Sequence, residues 1–183
     1  MRLPKEYRFP TIPFIICANH ASFFDIPCLY VAFQKRFTFV GKKEITRWPL
    51  FRIFYTSGMN ISVDRGNGRA MISSYRRMES ELREGHSLVI FPEGTISRKA
   101  PEMSLFKSGA FQLAVSLQLP VIPVTIIGNH RRLQRGSFLR GMASPGRSTL
   151  IIHQPVFPGG YGEAEVTRLK DLVYQKIRES LPA

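Results

Sequence analysis

A histidine and a carboxylate, His20 and Asp25, stand with four residues between them, directly after an apolar run at residues 14–18. A neutral imidazole can take a proton from a hydroxyl, and a nearby carboxylate can fix its tautomer and stabilise the imidazolium that forms. The pair is part of a serine-protease triad without the serine nucleophile. If a substrate hydroxyl is the nucleophile, the pair predicts an acyl-transfer catalyst.

A second polar segment has the position needed to bind an acyl acceptor. Residues 91–95 read Phe-Pro-Glu-Gly-Thr and follow another apolar run at residues 87–91. If both apolar runs are strands of one sheet, the segments that follow them lie at the same strand-end level. We therefore expect the two polar loops to face one crevice.

These segments, in this order and separation, resemble the glycerolipid acyltransferase family, which includes bacterial 1-acylglycerol-3-phosphate acyltransferases of the PlsC type. Residues 19–25 match its first block, Asn-His followed by four residues and Asp, and residues 91–95 match its Phe-Pro-Glu-Gly-Thr block. Two further blocks are matched: the family's middle region by residues 40–45 followed by residues 61–65, and its last block by residues 119–124. The resemblance covers roughly residues 10–130, and four blocks in the expected order make it specific.

The resemblance implies an O-acyltransferase reaction. In it, His20 removes the proton from the acceptor hydroxyl, Asp25 orients the imidazole, and the acceptor oxygen attacks an acyl thioester. The thioester is carried by acyl-carrier protein or by CoA. Backbone N–H groups near residues 93–95, or a helix N-terminus, would stabilise the oxyanion. The thioester is a co-substrate, so neither a cofactor nor a metal ion is expected.

The family also implies how the acceptor binds. The first expectation is lysophosphatidic acid, used in membrane phospholipid synthesis. By resemblance, Lys42 and Arg65 bind its phosphate. The guanidinium fork of Arg65 matches the geometry of phosphate oxygens. Glu93, Gly94 and Thr95 are expected to shape the acceptor pocket.

One position departs from the family pattern. Members often carry an arginine directly after Glu-Gly-Thr, where it is thought to grip the acceptor phosphate, and this chain has Ile96. Arg98 or Lys107 could take that role from the same loop, and Ile96→Arg should then tell whether the phosphate grip is missing. Otherwise the acceptor lacks a glycerol phosphate, and a lyso-aminolipid is the alternative.

Simpler interpretations of the same residues stay open. Asp25 precedes Ile26, Pro27 and an apolar helical pattern, so it could be a helix N-cap before an early proline. His20 beside a strand would, on its own, more often be a structural histidine than a base. Residues 92–94 could form an ordinary turn with a solvated carboxylate. Only the ordered set of blocks favours catalysis.

The length of 183 residues is common for one domain, and we expect a single acyltransferase domain over residues 1–183. Two cysteines, Cys17 and Cys28, lie inside apolar patterns, which indicates packing residues in a reduced compartment and not a disulfide framework.

No run of the sequence approaches the ~20 apolar residues that span a bilayer, and the start lacks a hydrophobic signal region. Members of the family commonly carry hydrophobic or amphipathic helices before the first block, whereas 18 residues precede Asn19 here. Either such a segment has been removed, or the chain docks on membranes through its surface.

The charge favours docking on an anionic surface. There are 26 Lys and Arg residues against 13 Asp and Glu, a net charge of +13, which attracts anionic headgroups, nucleic acid or acidic carriers. The basic clusters are Lys42, Lys43, Arg47 and Arg52, interleaved with Trp48, Phe51 and Phe54; then Arg65, Arg69, Arg76 and Arg77; and then Arg131, Arg132, Arg135, Arg140 and Arg147. Basic residues mixed with aromatic and aliphatic ones suit a headgroup interface.

We therefore expect a peripheral protein on the cytoplasmic face of an anionic membrane, with no nucleic-acid partner. Three alternatives remain: a solvated basic face without a partner, a non-catalytic lipid-binding module, and a nucleic-acid-binding domain. The last would explain the charge, but the sequence contains no recognisable nucleic-acid module.

The sequence predicts alternating strands and helices. Apolar runs predict strands at residues 14–18, 37–40, 59–63, 87–91, 121–127 and 149–153. Helical spacing predicts helices that end before Gly85 and before Pro120, and a C-terminal helix at about residues 163–181. Residues 128–148, rich in glycine and arginine, are expected to form an irregular basic loop. The alternation predicts an α/β fold, a mixed, largely parallel sheet flanked by helices in a single domain.

Overall fold

The computed structural model describes residues 1–4, 7–33, 37–42, 60–63, 68–133 and 143–182. In this part of the chain, one sheet contains the strands β1 (Ile15–Ala18), β2 (Phe37–Lys42), β3 (Asn60–Val63), β4 (Ser87–Ile90), β5 (Val121–Ile127) and β6 (Thr149–Ile152). The helices are α1 (Asp25–Ala32), α2 (Gly68–Arg83), α3 (Gly109–Leu117), α4 (Asn129–Arg132) and α5 (Glu163–Glu179). The strands lie in the order β3-β2-β4-β1-β5-β6.

The sheet is parallel from β3 to β5, and the outermost strand, β6, pairs antiparallel to β5. β1 lies in the middle, with Ile15 opposite Leu88 of β4 on one side and Val121 of β5 on the other. The predicted α/β class, with a mixed and largely parallel sheet, is thereby confirmed. Each predicted strand overlaps an observed one, with ends that differ by at most two residues.

Both faces of the sheet are covered, which explains why the strands read as continuous apolar runs. Ile15 and Cys17 of β1 face the layer that contains α2, α3 and α5. Phe14, Ile16 and Ala18 face the opposite layer, where α1 and the segment before β1 pack. Alternate residues of one strand thus enter two different cores, and both sets must be apolar.

The helices begin and end near the predicted positions. α2 ends at Arg83, shortly before Gly85, and α3 ends at Leu117, before Pro120. α5 buries one apolar stripe, formed by Val166, Leu169, Val173 and Ile177. The region 128–148 differs from the predicted irregular loop because it opens with the short helix α4, and Leu133 then pairs with Ala143 in an isolated bridge.

Both cysteines are free thiols, Cys17 fully buried and Cys28 half-buried. Burial raises the pKa of the Cys17 thiol, which keeps it protonated and inert beside the site described below. Among the described residues, no helix combines the length and the apolar character needed to cross a bilayer.

Candidate active site

The carboxyl ends of three neighbouring strands meet at one edge of the sheet, which we call the carboxyl edge. β1 lies between β4 and β5 in parallel register, so the segments after Ala18, Ile90 and Ile127 emerge together. In open α/β sheets, ligands bind in the crevice outside the carboxyl ends of the strands. The loop after β1 carries His20, and the loop after β4 carries Glu93.

His20 and Asp25 form a buried hydrogen-bonded pair at this edge. His20 Nδ1 lies 2.9 Å from Asp25 Oδ2, and the two side chains are 8% and 0% exposed. An ionised carboxylate only accepts hydrogen bonds, so Nδ1 donates and carries the hydrogen of the neutral ring. Nε2 is then the nitrogen whose lone pair can take a proton from a hydroxyl.

The loop between β1 and α1 holds Asp25 in place. Besides the histidine, its Oδ2 accepts the N–H groups of Ala21 and Ser22, each at 2.8 Å. Helix α1 begins at Asp25, after Phe24, with no side-chain capping bond at this terminus. The carboxylate therefore turns back toward His20 instead of capping the first helical turn, and the N-cap alternative does not describe this geometry.

Glu93 ties the two loops together. Its Oε1 accepts the N–H of His20 at 2.7 Å, and its Oε2 accepts the N–H of Ser104 at 2.8 Å. The Ser97 N–H also donates to the His20 carbonyl at 2.9 Å, so the backbone of the histidine is fixed from both sides. Burial raises the pKa of the Glu93 carboxyl, and the hydrogen bonds it accepts oppose that rise. Glu93 thus fixes the backbone of His20 and Ser104, and both of its oxygens accept backbone N–H groups instead of facing an open pocket.

The imidazole of His20 stacks on Phe91, with ring centroids 3.9 Å apart and an angle of 13° between the planes. Phe91 also lines a groove of about 350 Å³ between α2 and α3. Apolar side chains form most of its wall, among them Met71, Tyr75 and Met78. Concave apolar sites of this size are typical of small-molecule binding, and this one shares Phe91 with the His20 stack.

The other residues predicted to bind the acceptor are distributed along the loop after β4. Gly94 adopts a φ of +77° in the turn, and Thr95 beside it is exposed. Lys107 lines the groove, and its N–H donates to the Pro92 carbonyl at 2.9 Å. Arg98 is exposed and directly follows Ser97, the residue bonded to the His20 backbone. This places two cations on the loop that braces the base.

Two predicted phosphate ligands cannot be located in the same way. Lys42 ends β2, but its side chain lies outside the described part of the structure, as does the whole of Arg65. The same holds for Trp48, Phe51 and Phe54 of the first basic and aromatic cluster. Their roles stay predictions.

Several backbone N–H groups near the base are already committed. The N–H groups of Ala21 and Ser22 donate to Asp25, and that of His20 donates to Glu93. The Gly94 N–H donates to the Phe91 carbonyl at 2.9 Å. Donors for an oxyanion must therefore come from other groups of the crevice.

Two residues of the carboxyl edge were missed by the sequence prediction. Asn129 is fully buried, and its Nδ2 donates to Asp25 Oδ1 at 2.8 Å. Burial, with Arg131 and Arg132 adding to it, lowers the pKa of His130, while the nearby Asp25 opposes the shift. Both residues come shortly after β5, separated from it by Gly128, so the strand-end rule that singled out His20 would also single them out once β5 is placed beside β1.

Comparison with known proteins places the chain in a class. The family model described as Acyltransferase matches residues 3–127, so this chain belongs to the acyltransferase family. The resemblance deduced from the sequence blocks is thereby confirmed.

Individual relatives of the chain carry a more specific name than the family. A probable 1-acyl-sn-glycerol-3-phosphate acyltransferase of Mycoplasma pneumoniae is 30% identical over 179 residues, which cover 91% of this chain and 65% of that protein. The 1-acyl-sn-glycerol-3-phosphate acyltransferase of Cocos nucifera is 28% identical, and the match covers 92% of this chain and 54% of that protein. The chain thus spans about half to two thirds of the length of these relatives.

The fold is also shared with a solved structure. The crystal structure of the 1-acyl-sn-glycerophosphate (LPA) acyltransferase PlsC from Thermotoga maritima matches with a TM-score of 0.72 and 27% sequence identity. The match covers 93% of this chain and 67% of that chain.

Proposed function

We propose that this chain is an O-acyltransferase that moves a fatty acyl group from an acyl thioester to the hydroxyl of a lysophospholipid, with lysophosphatidic acid as the first acceptor. The observation that carries the proposal is that one residue, Phe91, links the buried His20–Asp25 pair to the groove. The imidazole of the buried His20–Asp25 pair stacks on Phe91, which also lines the apolar groove. The names of the relatives support the same reaction.

In the proposed reaction, His20 Nε2 takes the proton of the acceptor hydroxyl while the hydroxyl oxygen attacks the thioester carbonyl. A C–O bond forms, the carbonyl oxygen becomes an oxyanion, and Asp25 stabilises the imidazolium. The intermediate then collapses, the C–S bond breaks, and the imidazolium protonates the departing thiolate. The products are an ester and a free thiol. The thioester supplies the activated carbonyl, so this sequence of steps needs no cofactor or metal ion.

The groove is the proposed site of the acyl chain. Each methylene that it buries contributes about 0.8 kcal/mol, so its length and shape set the chain-length preference. Lys107 stands on its wall and Arg98 on the same loop, where a cation can pair with the phosphate of the acceptor. Lys42 and Arg65 are proposed, by resemblance, to assist, and Gly94 and Thr95 to bound the acceptor pocket.

The first experiment measures turnover directly. The protein is incubated with an acyl thioester and lysophosphatidic acid, and both the free thiol and the diacyl product are quantified. Acyl-carrier protein and CoA are compared as carriers. A lyso-aminolipid is the second acceptor, because Ile96 replaces the arginine expected at that position. Equal amounts of thiol and diacyl lipid support the proposal; thiol release without diacyl lipid means hydrolysis, and no release with either carrier refutes the enzyme.

We further propose that the chain is a peripheral protein of the cytoplasmic membrane face. Arg131 and Arg147 are exposed next to the carboxyl edge: Arg131 lies in α4, and Arg147 precedes Ser148, whose hydroxyl donates to Asn129. Each cation near an anionic surface contributes about 1 kcal/mol, screened within about a Debye length.

Sedimentation with vesicles tests this placement. Binding should rise with the anionic lipid content and fall with salt, and Arg131→Glu with Arg147→Glu should weaken it. Arg83→Glu is the control for each single substitution, because it makes the same change of charge at an exposed residue at the opposite edge of the sheet. Equal weakening by the control would indicate a general charge effect. Tight, salt-independent binding to neutral vesicles would contradict the electrostatic docking.

A further inference from the structure

Asn129 lies where β5 ends, on the strand next to the one that carries the base. It is the first residue of α4 and is fully buried. Gly128 before it adopts a φ of +92°, and a Cβ atom there would come within 3.0 Å of the Arg147 carbonyl oxygen. Glycine therefore permits the sharp turn that directs Asn129 inward, across the carboxyl edge.

The amide of Asn129 is oriented by its own partners. Its Nδ2 donates to Asp25 Oδ1 at 2.8 Å and lies 3.6 Å from Cys28 Sγ. Its Oδ1 accepts the hydroxyl of Ser148. Acceptors face the nitrogen and a donor faces the oxygen, so the amide has one favourable orientation, with its NH2 group on the carboxylate.

We propose that Asn129 is a positioning residue for catalysis, which fixes the orientation of the carboxylate that orients His20. The inference rests on the proposed function of the His20–Asp25 pair. Oδ2 of Asp25 accepts hydrogen bonds from the imidazole and from two backbone N–H groups. Oδ1 accepts the hydrogen bond from the Asn129 amide nitrogen. With Oδ1 anchored, the carboxylate cannot rotate away from the histidine.

The neutrality of the amide is part of its role. A buried carboxylate needs hydrogen bonds in order to stay charged. A lysine or arginine at this position would satisfy Oδ1, but it would also neutralise the charge that stabilises the imidazolium. Asn129 supplies the donor and leaves that charge for His20.

A double-mutant cycle tests the proposal, because a residue that acts through Asp25 must lose its effect when Asp25 is changed. We expect Asn129→Ala to lower kcat by about 10-fold, the order expected for one hydrogen bond to a charged group, with each KM within about threefold. In an Asp25→Asn background, the same change should lower kcat by less than about threefold. Equal losses in both backgrounds, or an unchanged kcat in the first, would overturn the proposal.

Asn129→Asp runs the same cycle if the alanine variant does not fold, since it keeps the size of the side chain. Two carboxylates in contact cannot both stay ionised, so kcat should fall at least as far. Combined with Asp25→Asn, it restores an amide–carboxylate pair and should cost no more than Asp25→Asn alone. A further loss in that combination would show a role independent of Asp25.

Asn60→Ala is the matched control for the loss of a buried amide. Asn60 is 3% exposed at the start of β3 and accepts the Phe39 N–H at 3.2 Å, and no bond joins it to Asp25 among the described residues. It should lower stability but show additive effects with Asp25→Asn. The single variant His20→Ala tests the proposed function separately. If this variant keeps its turnover, the His20–Asp25 pair is not catalytic, whatever the result for Asn129.

Discussion

Two histidine–carboxylate pairs with nearly the same nitrogen–oxygen distance lie at opposite ends of the strands. His20 Nδ1 lies 2.9 Å from Asp25, and His86 Nδ1 lies 3.0 Å from Glu81. In each pair the partners are five positions apart in the chain. The first pair lies at the carboxyl edge, and the second lies where α2 ends and β4 begins.

The surroundings of the two pairs differ far more than their distances. The side chains of His86 and Glu81 are 44% and 20% exposed, against 8% and 0% for His20 and Asp25. Glu81 has a second partner in the Thr38 hydroxyl at 3.2 Å. Solvent screens such a pair, so the carboxylate neither fixes nor polarises the imidazole strongly. A short distance therefore does not by itself indicate a catalytic pair, whereas burial and a fully bonded carboxylate favour that role.

Removing each histidine gives the largest expected contrast. His20→Ala should lower kcat by roughly 10²- to 10⁴-fold, the range for loss of a general base. His86→Ala should leave kcat within about twofold, as surface substitutions usually do. The measurement is the rate of thiol release with saturating acyl thioester and lysophosphatidic acid. Circular dichroism of both variants checks the fold, and near-normal turnover of folded His20→Ala would remove the basis for the mechanism.

Neutralising each carboxylate should give the next largest contrast. Asp25→Asn should lower kcat by about 10- to 100-fold, because the charge that stabilises the imidazolium is lost. Glu81→Gln should again stay within about twofold. Asp25→Asn also replaces an acceptor of the Ala21 and Ser22 N–H groups, so we expect it to lose about 1–3 kcal/mol of stability. Turnover is measured at a temperature at which every variant is folded. Equal decreases in kcat for Asp25→Asn and Glu81→Gln would contradict the expected difference between the buried and the exposed pair.

The sequence predicted the parts of the molecule that depend on local patterns. Strands buried on both faces give continuous apolar runs, so all the strand positions were recognisable, and His20, Asp25 and Glu93 stood out because they follow such runs. The contact of Asn129 with Asp25 joins residues 104 positions apart and depends on β5 lying beside β1. Strand order is decided by tertiary packing, and the sequence pattern does not contain it.

The sequence also did not predict which side chains of the loop after β4 point into the core. Ile96 occupies the position of a family arginine, but its side chain is 5% exposed. Arginine there would bury an unpaired charge, so Ile96→Arg should destabilise the loop before it could improve phosphate binding. The same backbone position can thus carry a ligand-binding side chain or a core side chain, depending on local packing.

The cations near the two pairs allow a smaller contrast. Arg83 is bonded to Glu79 at 2.7 Å at the opposite edge, whereas Arg98 and Lys107 form no ion pair among the residues that the structure describes. Arg98→Ala or Lys107→Ala should raise the acceptor KM about 3- to 10-fold, because a charge-assisted contact to phosphate is lost. Arg83→Ala should leave it unchanged. The KM of an uncharged acceptor is the second control, and an equal rise there would indicate a structural role.

The smallest expected effect concerns a histidine with a hydroxyl partner instead of a carboxylate. His153 Nε2 lies 2.8 Å from Thr125 Oγ1, and that hydroxyl donates to the Ile177 carbonyl at 3.3 Å. Burial, and then Lys176, lower the pKa of His153 below its usual 6.5. The unfolded chain therefore binds a proton at this residue before the folded protein does, and stability falls as the pH drops below about 6.5. His153→Gln should make the fall in the free energy of unfolding between about pH 7 and about pH 5 shallower, as measured by urea denaturation. An unchanged slope would mean that His153 takes up no proton on unfolding. His86→Gln, at the exposed pair, serves as the control.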